Sequence, residues 1–416
     1  MLYCLVLGYP SAVNAQSQST GEAPMSEYTV VCYYFPNYHV DPRNEARHGK
    51  GWTEWELVKQ AKPRFPGHRQ PKIPLWGHGD ESAPEVMAKK IDAAADHAID
   101  VFIFDWYYYD DGLFLQGCLE RGFMKAPNAA RMKFALMWAN HDWYDIHPAT
   151  LAHPPELLYP GTVTQETFED MTDYVIETCF RHPSYWTIGG CPYFSIYELH
   201  TLVKGLGGVD AVARAVARFR EKTRAAGFPG LHLNAVSWGV QLLPGETAVD
   251  NPEALIQRIG FDSVTSYVWV HDVPLTQFPE TPYAEALEKI ESVWQRNADR
   301  FAVPYFPNVT MGWDSSPRCN QDDTFTNKGY PFTSALGGNT PDAFRNALEK
   351  AKAFLDARPN TRKTLTINCW NEWTEGSYLE PDTESAMAYL EAVRDLSRSW
   401  SFYFRRFQAQ SPNIRR

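Results

Sequence analysis

Two glutamates three residues apart, Glu372 and Glu375, are the residues of this chain best suited to chemistry. They follow the stretch 365–370, which is short, apolar and partly β-branched and therefore predicts a buried strand. Tryptophans at positions 370 and 373 flank them. Carboxyl groups held close together in an aromatic, partly dry setting have pKa values that move apart, so one stays protonated while the other ionises. The pattern predicts a pair that breaks or makes a glycosidic bond, with a solvated acidic turn as the alternative interpretation.

The elements that position this pair are predicted from the hydrophobic periodicity of the chain. Eight strand-like stretches alternate with eight segments of helical period, which predicts parallel strands joined by crossover helices. Eight such units close a barrel, whereas a doubly wound sheet lacks support because no G-x-G-x-x-G follows the first strand. We therefore predict an α/β fold, a single (β/α)8 TIM barrel with long βα loops, over residues 25–416. The predicted strands are Tyr28–Phe35, Val101–Tyr107, Lys133–Trp138, Tyr193–Tyr197, Leu231–Val236, Asp262–Tyr267, Val303–Thr310 and Thr364–Trp370, and the predicted helices are Pro84–Ala98, Leu113–Lys125, Thr164–Arg181, Val209–Ala226, Pro252–Ile259, Tyr283–Arg300, Pro341–Ala357 and Thr383–Ser397.

A barrel also predicts where functional residues lie, since catalytic groups of TIM barrels sit on the loops that follow the strands. Clusters of polar and aromatic residues follow the first, second, third, seventh and eighth predicted strands. Any one cluster is equally well explained as rim packing, a polar turn or a structural ion pair, but five clusters at strand ends favour one shared site. The predicted substrate-binding residues are Tyr34, His39, Trp52, Glu54, Asp105, Tyr107, Trp138, Asn140, Trp313, Asp314, Arg318, Asn371 and Trp373.

Composition narrows the class of partner. Aromatic residues make up 14% of the chain, with 14 Trp and 22 Tyr. Such a surplus often lines a cleft that binds sugars or other rings, and a large core is the alternative explanation. The net charge of −11 argues against nucleic acid or an anionic membrane as a main partner. No cofactor motif and no set of metal ligands stands out, and the sequence leaves the oligomeric state open. We expect an oligosaccharide or polysaccharide substrate.

Cysteines and the N-terminus bear on the compartment. The seven cysteines are scattered without a C-x-x-C pair, so neither a zinc site nor a disulfide framework is indicated, which favours a reducing compartment. Residues 1–24 are predicted to be dispensable for the fold, as a poor signal peptide or a misassigned start. We expect a cytoplasmic protein, or a secreted or periplasmic one if residues 1–15 act as a signal peptide.

Six motifs together resemble the glycoside hydrolase family 99-like (WbsX-type) group. They are YYFPNYH at 33–39, GWTEW at 51–55, KPRFPGHRQP at 62–71, WAN at 138–140, GWDSSPR at 312–318 and WNEWTEG at 370–376. The resemblance runs from about residue 28 to about 382, nearly the whole chain. The group is similar to the family 99 endo-α-mannosidases, whose (β/α)8 barrel also ends in N-E-W-x-E-G.

That resemblance implies retaining hydrolysis of an α-linked, mannose-like glycan without an enzyme nucleophile. Glu372 would be the base that deprotonates the sugar 2-hydroxyl, which then attacks C1 to give a 1,2-anhydro intermediate. Glu375 would protonate the leaving oxygen and later activate water. From the residues alone, the ordinary retaining scheme with one glutamate as nucleophile stays open.

One segment departs from the group, and two other functions stay open. The glutamate-rich segment common after strand three is here Asn140-His141-Asp142-Trp143, which bears on substrate identity more than on reaction type. Members also occur in polysaccharide loci, so a glycosyltransferase or transglycosylase for surface polysaccharide is the second interpretation. A non-catalytic carbohydrate-binding barrel is the third.

Overall fold

Eight parallel strands form the centre of the molecule. The computed structural model describes residues 28–359 and 361–396, so the predictions about residues 1–24 and about Ser397 lie outside the described residues. Most of the strands are rich in aromatic or β-branched residues, and their side chains are nearly all buried. In chain order the strands are β1 Tyr28–Tyr34, β2 Val101–Tyr109, β3 Lys133–Trp138, β4 Cys191–Ile196, β5 His232–Val236, β6 Ser263–Thr265, β7 in two pieces, Tyr305–Phe306 and Asn308–Thr310, and β8 Lys363–Asn368.

These strands close into a barrel. Each strand from β1 to β6 pairs in parallel with the next in sequence, and β8 pairs with β1. The first piece of β7 pairs with β6 and the second with β8. Only Pro307, which has no N–H to donate to a ladder, separates the two pieces. The predicted (β/α)8 TIM barrel is therefore confirmed, with β7 interrupted once.

Helices surround the barrel and pack their apolar faces on it. Predicted helices are present in six of the seven crossovers, two with the predicted bounds and four with ends shifted by one or two residues. The helix predicted over Thr164–Arg181 is an α-helix to Tyr174 and a π-helix over Val175–Phe180. Two short helices lie in the long loop after β1, and one follows β4 directly; none of these three was predicted. The helices are α1 Pro42–His48, α2 Trp55–Gln60, α3 Pro84–Asp96, α4 Gln165–Tyr174, α5 Leu199–Leu206, α6 Val209–Ala225, α7 Pro252–Ile259, α8 Tyr283–Arg300 and α9 Pro341–Asp356, and residues 388–396 are also helical.

The predicted helix Leu113–Lys125 is wrong in its first part. Residues Gly112–Phe114 instead form a short antiparallel strand against the end of β2, which itself extends to Tyr109. Gly112 has φ 101°, a left-handed conformation that glycine adopts without strain and that turns the chain back on itself. Helical structure begins only at Cys118. The apolar residues of this segment therefore contact the mouth of the barrel before the chain descends along its outside.

None of the helices in the described ranges is long and apolar enough to cross a membrane. Long loops instead lie over the carboxyl ends of the strands. The largest run from β1 to α3, from β3 to α4 and from β7 to α9. These loops form the walls of the candidate active site.

Candidate active site

The two glutamates lie on a tight turn directly after β8. Residues Asn371–Glu372 pair with Ser377–Tyr378 in a small hairpin, and Trp373–Glu375 form one turn of 3-10 helix between them. Gly376 closes the turn with φ 63°, and a Cβ there would come within 2.7 Å of the Cβ of Asp314. The turn therefore requires glycine, and it brings both carboxyl groups to the barrel mouth.

Arg318 binds both glutamates. Its Nη1 donates to Oε1 of Glu375 at 2.5 Å, and its Nη2 to Oε2 of Glu372 at 3.2 Å. Its Nε donates to Oε1 of Glu54 at 2.9 Å. All four side chains are buried. We call Arg318, Glu54, Glu372, Glu375 and Tyr330 the Arg318 cluster.

Tyr330 completes the cluster from the loop after β7. Its hydroxyl donates to the same Oε1 of Glu375 at 2.6 Å and accepts from Arg318. In the described part of the chain no donor contacts Oε1 of Glu372 or Oε2 of Glu375. Each carboxyl group is thus held through one oxygen only.

The environment raises the pKa of both glutamates. Burial is the main reason that the pKa of Glu372 lies well above its ordinary value, and the neighbouring charge of Glu375 adds to it, while Arg318 opposes. Burial also raises the pKa of Glu375, against the lowering effects of Arg318 and the Tyr330 hydroxyl. Burial alone would raise the pKa of Glu54, but Arg318 and His147 bring this pKa below its ordinary value. Glu54 therefore stays ionised as the permanent partner of Arg318, while Glu372 and Glu375 retain a proton more readily.

A third carboxyl group, that of Asp105 on β2, lies on the floor of the site. Asp105 accepts a hydrogen bond from the Tyr267 hydroxyl through Oδ2 at 2.7 Å, and its buried Oδ1 has no partner among the described residues. Burial raises the pKa of Asp105 well above its usual value. A neutral Asp105 can donate a hydrogen bond as well as accept one.

These groups open into one aromatic cleft at the carboxyl end of the barrel. Tyr107 and Trp143 meet edge to face with ring centroids 5.1 Å apart, and Trp143 stacks on His147 at 5.4 Å. Such rings suit the apolar faces of sugars. The lining residues are Phe35, Asp105, Tyr107, Met137, Ala139, His141, Asp142, Trp143, Tyr144, Ile146, His147, Tyr197, Leu243, Pro244, Tyr267, Arg318, Glu372 and Glu375.

Of the residues expected in the site, five line this cleft: Asp105, Tyr107, Arg318, Glu372 and Glu375. Glu54 lies behind Arg318 and orients it. The remaining nine residues do not line the cleft.

Three of the nine bind a second buried ion cluster beneath the turn. The Asn371 amide donates to Glu81 at 2.8 Å, as does the Tyr34 hydroxyl, and the Trp373 indole N–H donates to Glu380 at 3.0 Å. Lys90 lies between the two glutamates, 2.5 Å from Glu81 Oε1 and 3.0 Å from Glu380 Oε1. We call Lys90, Glu81, Glu380, Tyr34, Asn371 and Trp373 the Lys90 cluster. Within the motif, the side chains of residues 371 and 373 point down into this cluster, while those of 372 and 375 point up into the cleft.

Four others of the nine brace the surrounding elements. The Trp138 indole donates to the carbonyl of Tyr108 and packs on the outer helix α4. Asn140 exchanges two hydrogen bonds with the backbone of Glu198. His39 is buried against Gly117, where a Cβ would come within 2.6 Å of its Nε2. Trp52 stacks on His48 with ring centroids 4.2 Å apart, at the rim rather than in the cleft.

Trp313 and Asp314 turn away from the cleft on the other side of the turn that carries the two glutamates. Trp313 is buried and packs near Tyr330. Asp314 accepts from His68 and Gln70 through Oδ2 and from the Ser316 N–H through Oδ1. Burial alone would raise the pKa of Asp314, but the bond to His68, together with its charge, and the other two donors lower it to about 2. Asp314 therefore braces its loop against the loop of residues 62–71, and Arg318 is the residue of this motif that enters the cleft.

Several lining residues were not among the predicted site residues. The segment 141–143 stood out as a polar cluster after the third strand, which was a usable signal, but only its neighbours Trp138 and Asn140 were selected. Tyr267 follows β6 by two residues, so the rule of strand ends also covers it. Tyr330, which belongs to the Arg318 cluster but is not among the lining residues, was also not predicted. It lies in the long loop after β7, where the surrounding sequence gives no signal of a site.

Comparison with known proteins assigns the family. The sequence matches the family model described as "Glycosyltransferase WbsX" over residues 30–393. The chain belongs to the WbsX family. This WbsX-family chain is also 26% identical over 386 residues to a protein described as "Uncharacterized protein WxcX" from Xanthomonas campestris pv. campestris (strain B100), with 88% of this chain and 49% of that protein covered. The chain thus spans about half the length of the curated relatives it matches.

Solved structures share the fold. The GH99 endo-alpha-mannosidase from Bacteroides thetaiotaomicron, in complex with bis-tris-propane, has a TM-score of 0.56 at 14% identity and covers 92% of this chain and 99% of its own. A structure described as "Glycoside hydrolase-like protein" has a TM-score of 0.56 at 15% identity, with 94% and 97% covered. At these identities the likeness is one of fold. The resemblance to the family 99-like (WbsX-type) group is confirmed.

Proposed function

We propose that this WbsX-family protein is a glycoside hydrolase that cleaves an α-linked, mannose-like glycan with retention of configuration. The observation that carries this proposal is the Arg318 cluster, in which two buried carboxyl groups share one arginine and each keeps an oxygen toward an aromatic cleft. The similarity in fold to a GH99 endo-alpha-mannosidase also supports it.

The proposed steps use both free oxygens. Glu375 donates its proton from Oε2 to the glycosidic oxygen as the bond to C1 breaks. Glu372 takes the proton of the sugar 2-hydroxyl through Oε1, and the 2-oxygen attacks C1 to form a 1,2-anhydro sugar. Glu375, now ionised, removes a proton from water, whose oxygen opens the anhydro ring at C1, and the 2-oxygen recovers its proton from Glu372. A raised pKa suits both roles, since it keeps Glu375 protonated and makes the ionised Glu372 a stronger base.

The charge of the cleft favours hydrolysis over transfer from a nucleotide-sugar. Within the described part of the chain, Arg318 alone among the lining residues carries a permanent positive charge, and three carboxylates already engage it. Four carboxyl groups line the cleft: Asp105, Asp142, Glu372 and Glu375. A diphosphate would enter an acidic cleft without a free cation to bind it. Glycosyl transfer stays the second candidate because the family description names it.

The test begins with a panel of α-mannosides and related oligosaccharides, incubated without any nucleotide and followed by NMR of the products. We expect release of reducing sugar with retained anomeric configuration at the first turnover. Turnover that requires a nucleotide-sugar donor, with no hydrolysis, would contradict the proposal and favour transfer. Binding of the glycan without any turnover would instead favour a carbohydrate-binding barrel.

The acid is tested by Glu375→Gln. The variant cannot protonate a leaving oxygen, so turnover of oligosaccharides should fall by about 10²–10⁴-fold. The loss should be smaller on aryl glycosides, whose leaving groups need no proton. Glu349→Gln, an exposed glutamate on α9, is the matched control and should retain full activity. Equal losses on both kinds of substrate would remove Glu375 from the acid role.

The role of Glu372 as base is tested by changing this residue and by changing the 2-hydroxyl of the substrate. Glu372→Gln should slow natural and aryl substrates to a similar degree because its proposed partner is the sugar 2-hydroxyl. A 2-deoxy or 2-fluoro glycoside should not turn over at all by this route. Normal turnover of such a substrate would leave the ordinary scheme, with a glutamate nucleophile, as the mechanism.

A further inference from the structure

Two histidines and an aspartate meet at the rim of the cleft, between the end of α1 and the loop after β3. One ring nitrogen each of His48 and His147 and one carboxylate oxygen of Asp145 all lie within 4.8 Å of one another. His147 is buried and also lines the cleft, while His48 and Asp145 are half-buried. The cluster joins segments about 100 residues apart, so sequence spacing gives no sign of it.

We propose that His48, Asp145 and His147 form a binding site for a divalent transition metal ion of the zinc class. Two imidazoles and one carboxylate are a common set of three protein ligands for such an ion, with a fourth position open to water or another oxygen ligand. This proposal does not depend on the proposed hydrolase activity.

The histidines are available as ligands. In the described part of the chain the imidazole of neither His48 nor His147 has a hydrogen-bond partner, and Oε2 of Glu54 lies 3.7 Å from Nε2 of His147. A neutral imidazole without a hydrogen-bond partner at a ring nitrogen offers a lone pair there, which is the form that binds a metal ion.

The surroundings also favour a dication. Stacked or edge-on rings hold both imidazoles in place: Trp52 against His48 at 4.2 Å, and Trp143 against His147 at 5.4 Å. Glu54 adds a buried negative charge behind His147. Metal binding would draw the three ligand atoms together to about 3.3 Å, the spacing set by tetrahedral geometry at about 2.0–2.1 Å from the ion. The half-exposed loop that carries Asp145 is the part with room to move.

Arg47 is the competitor for this site. Its guanidinium lies 2.6 Å from Oδ2 of Asp145 and 2.7 Å from Glu156, and its side chain is 38% exposed. An ion that binds must displace this arginine from Asp145. The arginine is at the surface, where its pairing with Asp145 is worth little, so an ion can displace it. Removing the arginine also removes a competing positive charge, which should tighten metal binding.

The experiment is titration of the untagged full chain with Zn²⁺, followed by calorimetry. We expect one ion per chain, binding at least about tenfold weaker in His48→Ala and in His147→Ala, and binding tighter in Arg47→Ala. Co²⁺ supplies a second readout, since its bound form absorbs in the visible range and quenches the fluorescence of Trp52 and Trp143. His78→Ala is the matched control, because His78 also lies edge-on to a tryptophan, at 5.1 Å, but far from this cluster in sequence and contacts.

The outcomes separate cleanly. Unchanged Zn²⁺ affinity in both His48→Ala and His147→Ala would overturn the proposal, as would weaker binding in Arg47→Ala. Failure of Arg47→Ala to bind Zn²⁺ at millimolar concentration would overturn it as well. If His147→Ala does not fold, His48→Ala decides by itself, since His48 lies at the end of a short surface helix and its loss leaves the cleft lining intact.

Discussion

The Arg318 cluster and the Lys90 cluster lie on opposite sides of one turn, and both place a buried cation among buried carboxylates. In the Lys90 cluster the two glutamates receive donors from Lys90 and from tyrosine, amide and indole groups, so the charges are fully bonded. In the Arg318 cluster three carboxylates share one arginine, and two of them keep an oxygen without a partner among the described residues. The two clusters therefore differ in role. The Lys90 cluster, in which the carboxylates are fully bonded, holds the turn, and the Arg318 cluster, in which they are not, faces the cleft.

Burial shifts the pKa values of ionisable groups in both clusters. The two glutamates raise the pKa of Lys90 above its ordinary value even though burial acts to lower it, so this lysine stays charged. Burial outweighs Arg318 at Glu372 and Glu375, so the pKa values of both are raised. Burial also raises the pKa of Glu81 in the Lys90 cluster, against the lowering effect of Lys90. The two clusters therefore differ in how completely their carboxylate oxygens are bonded more than in the direction of their carboxyl pKa shifts.

The largest stability effect is expected at Lys90. Lys90→Met would leave Glu81 and Glu380 buried without a cation, and removing one partner of such a pair costs about 3–5 kcal/mol. The free energy of unfolding, measured in urea at pH 7, should fall by that amount. Lys89→Met, a change to the exposed neighbour on α3, is the control and should have little effect.

The pH dependence of the Lys90→Met deficit gives a second check. Without the lysine, the carboxyl group of Glu81 loses the cation that opposes the effect of burial on its pKa, so this pKa lies further above that of the unfolded chain. The resulting destabilisation is absent below the unfolded pKa and grows as the pH rises. The deficit should therefore be smaller near pH 5 than near pH 8, and a deficit that does not change with pH would contradict the ionic role.

Asp314 extends the comparison to a fully bonded carboxylate outside both clusters. Its pKa of about 2 lies below that of an unfolded aspartate, so its contribution is present above about pH 4 and is lost as the pH falls through about 2. Asp314→Asn should lower the free energy of unfolding by about 2 kcal/mol at pH 7. The difference between variant and parent should shrink below pH 4. A change in substrate affinity with unaltered stability would instead place Asp314 in substrate binding.

The smallest expected effect concerns Tyr330. It tests whether the hydroxyl of Tyr330 lowers the pKa of Glu375 or only holds that side chain in place. Its hydroxyl donates to Glu375, which favours the ionised form and lowers the pKa of that carboxyl group. In Tyr330→Phe the pKa of Glu375 should rise, so the alkaline limb of the kcat/KM profile should move to higher pH. Tyr174→Phe is the control, since Tyr174 donates to Glu120 on the outside of the barrel. A limb that stays in place, or that moves to lower pH, would show that Tyr330 does not set the proton affinity of Glu375.

Much of the fold was predictable because each strand is an apolar stretch bounded by turn residues. The errors fall where tertiary contacts decide local structure. The segment 113–125 has helical periodicity, yet Gly112 and the end of β2 draw its first residues into a hairpin. The strand around Pro307 reads as one stretch in sequence, but its two halves pair with different neighbours to close the barrel.

The candidate site was predictable in position more than in detail. Residues at the ends of strands were located correctly, because parallel strands place their carboxyl ends on one face. Which side chains enter the cleft was not predictable from spacing alone. Asn371 and Trp373 alternate with Glu372 along the turn and point to the opposite side, and Trp313 and Asp314 turn away while Arg318 turns in.

The sequence by itself determined the alternation of strands and helices, the acid pair at the end of β8 and the family motifs around it, since these depend on local residue types and spacing. The tertiary structure alone decided that Arg318 joins both glutamates to Glu54 and that Tyr330 bonds Glu375. It also decided that His48, Asp145 and His147 come together. The physical reason is that these contacts join loops separated by tens to hundreds of residues, whose approach is fixed by closure of the barrel and not by any local preference of the chain.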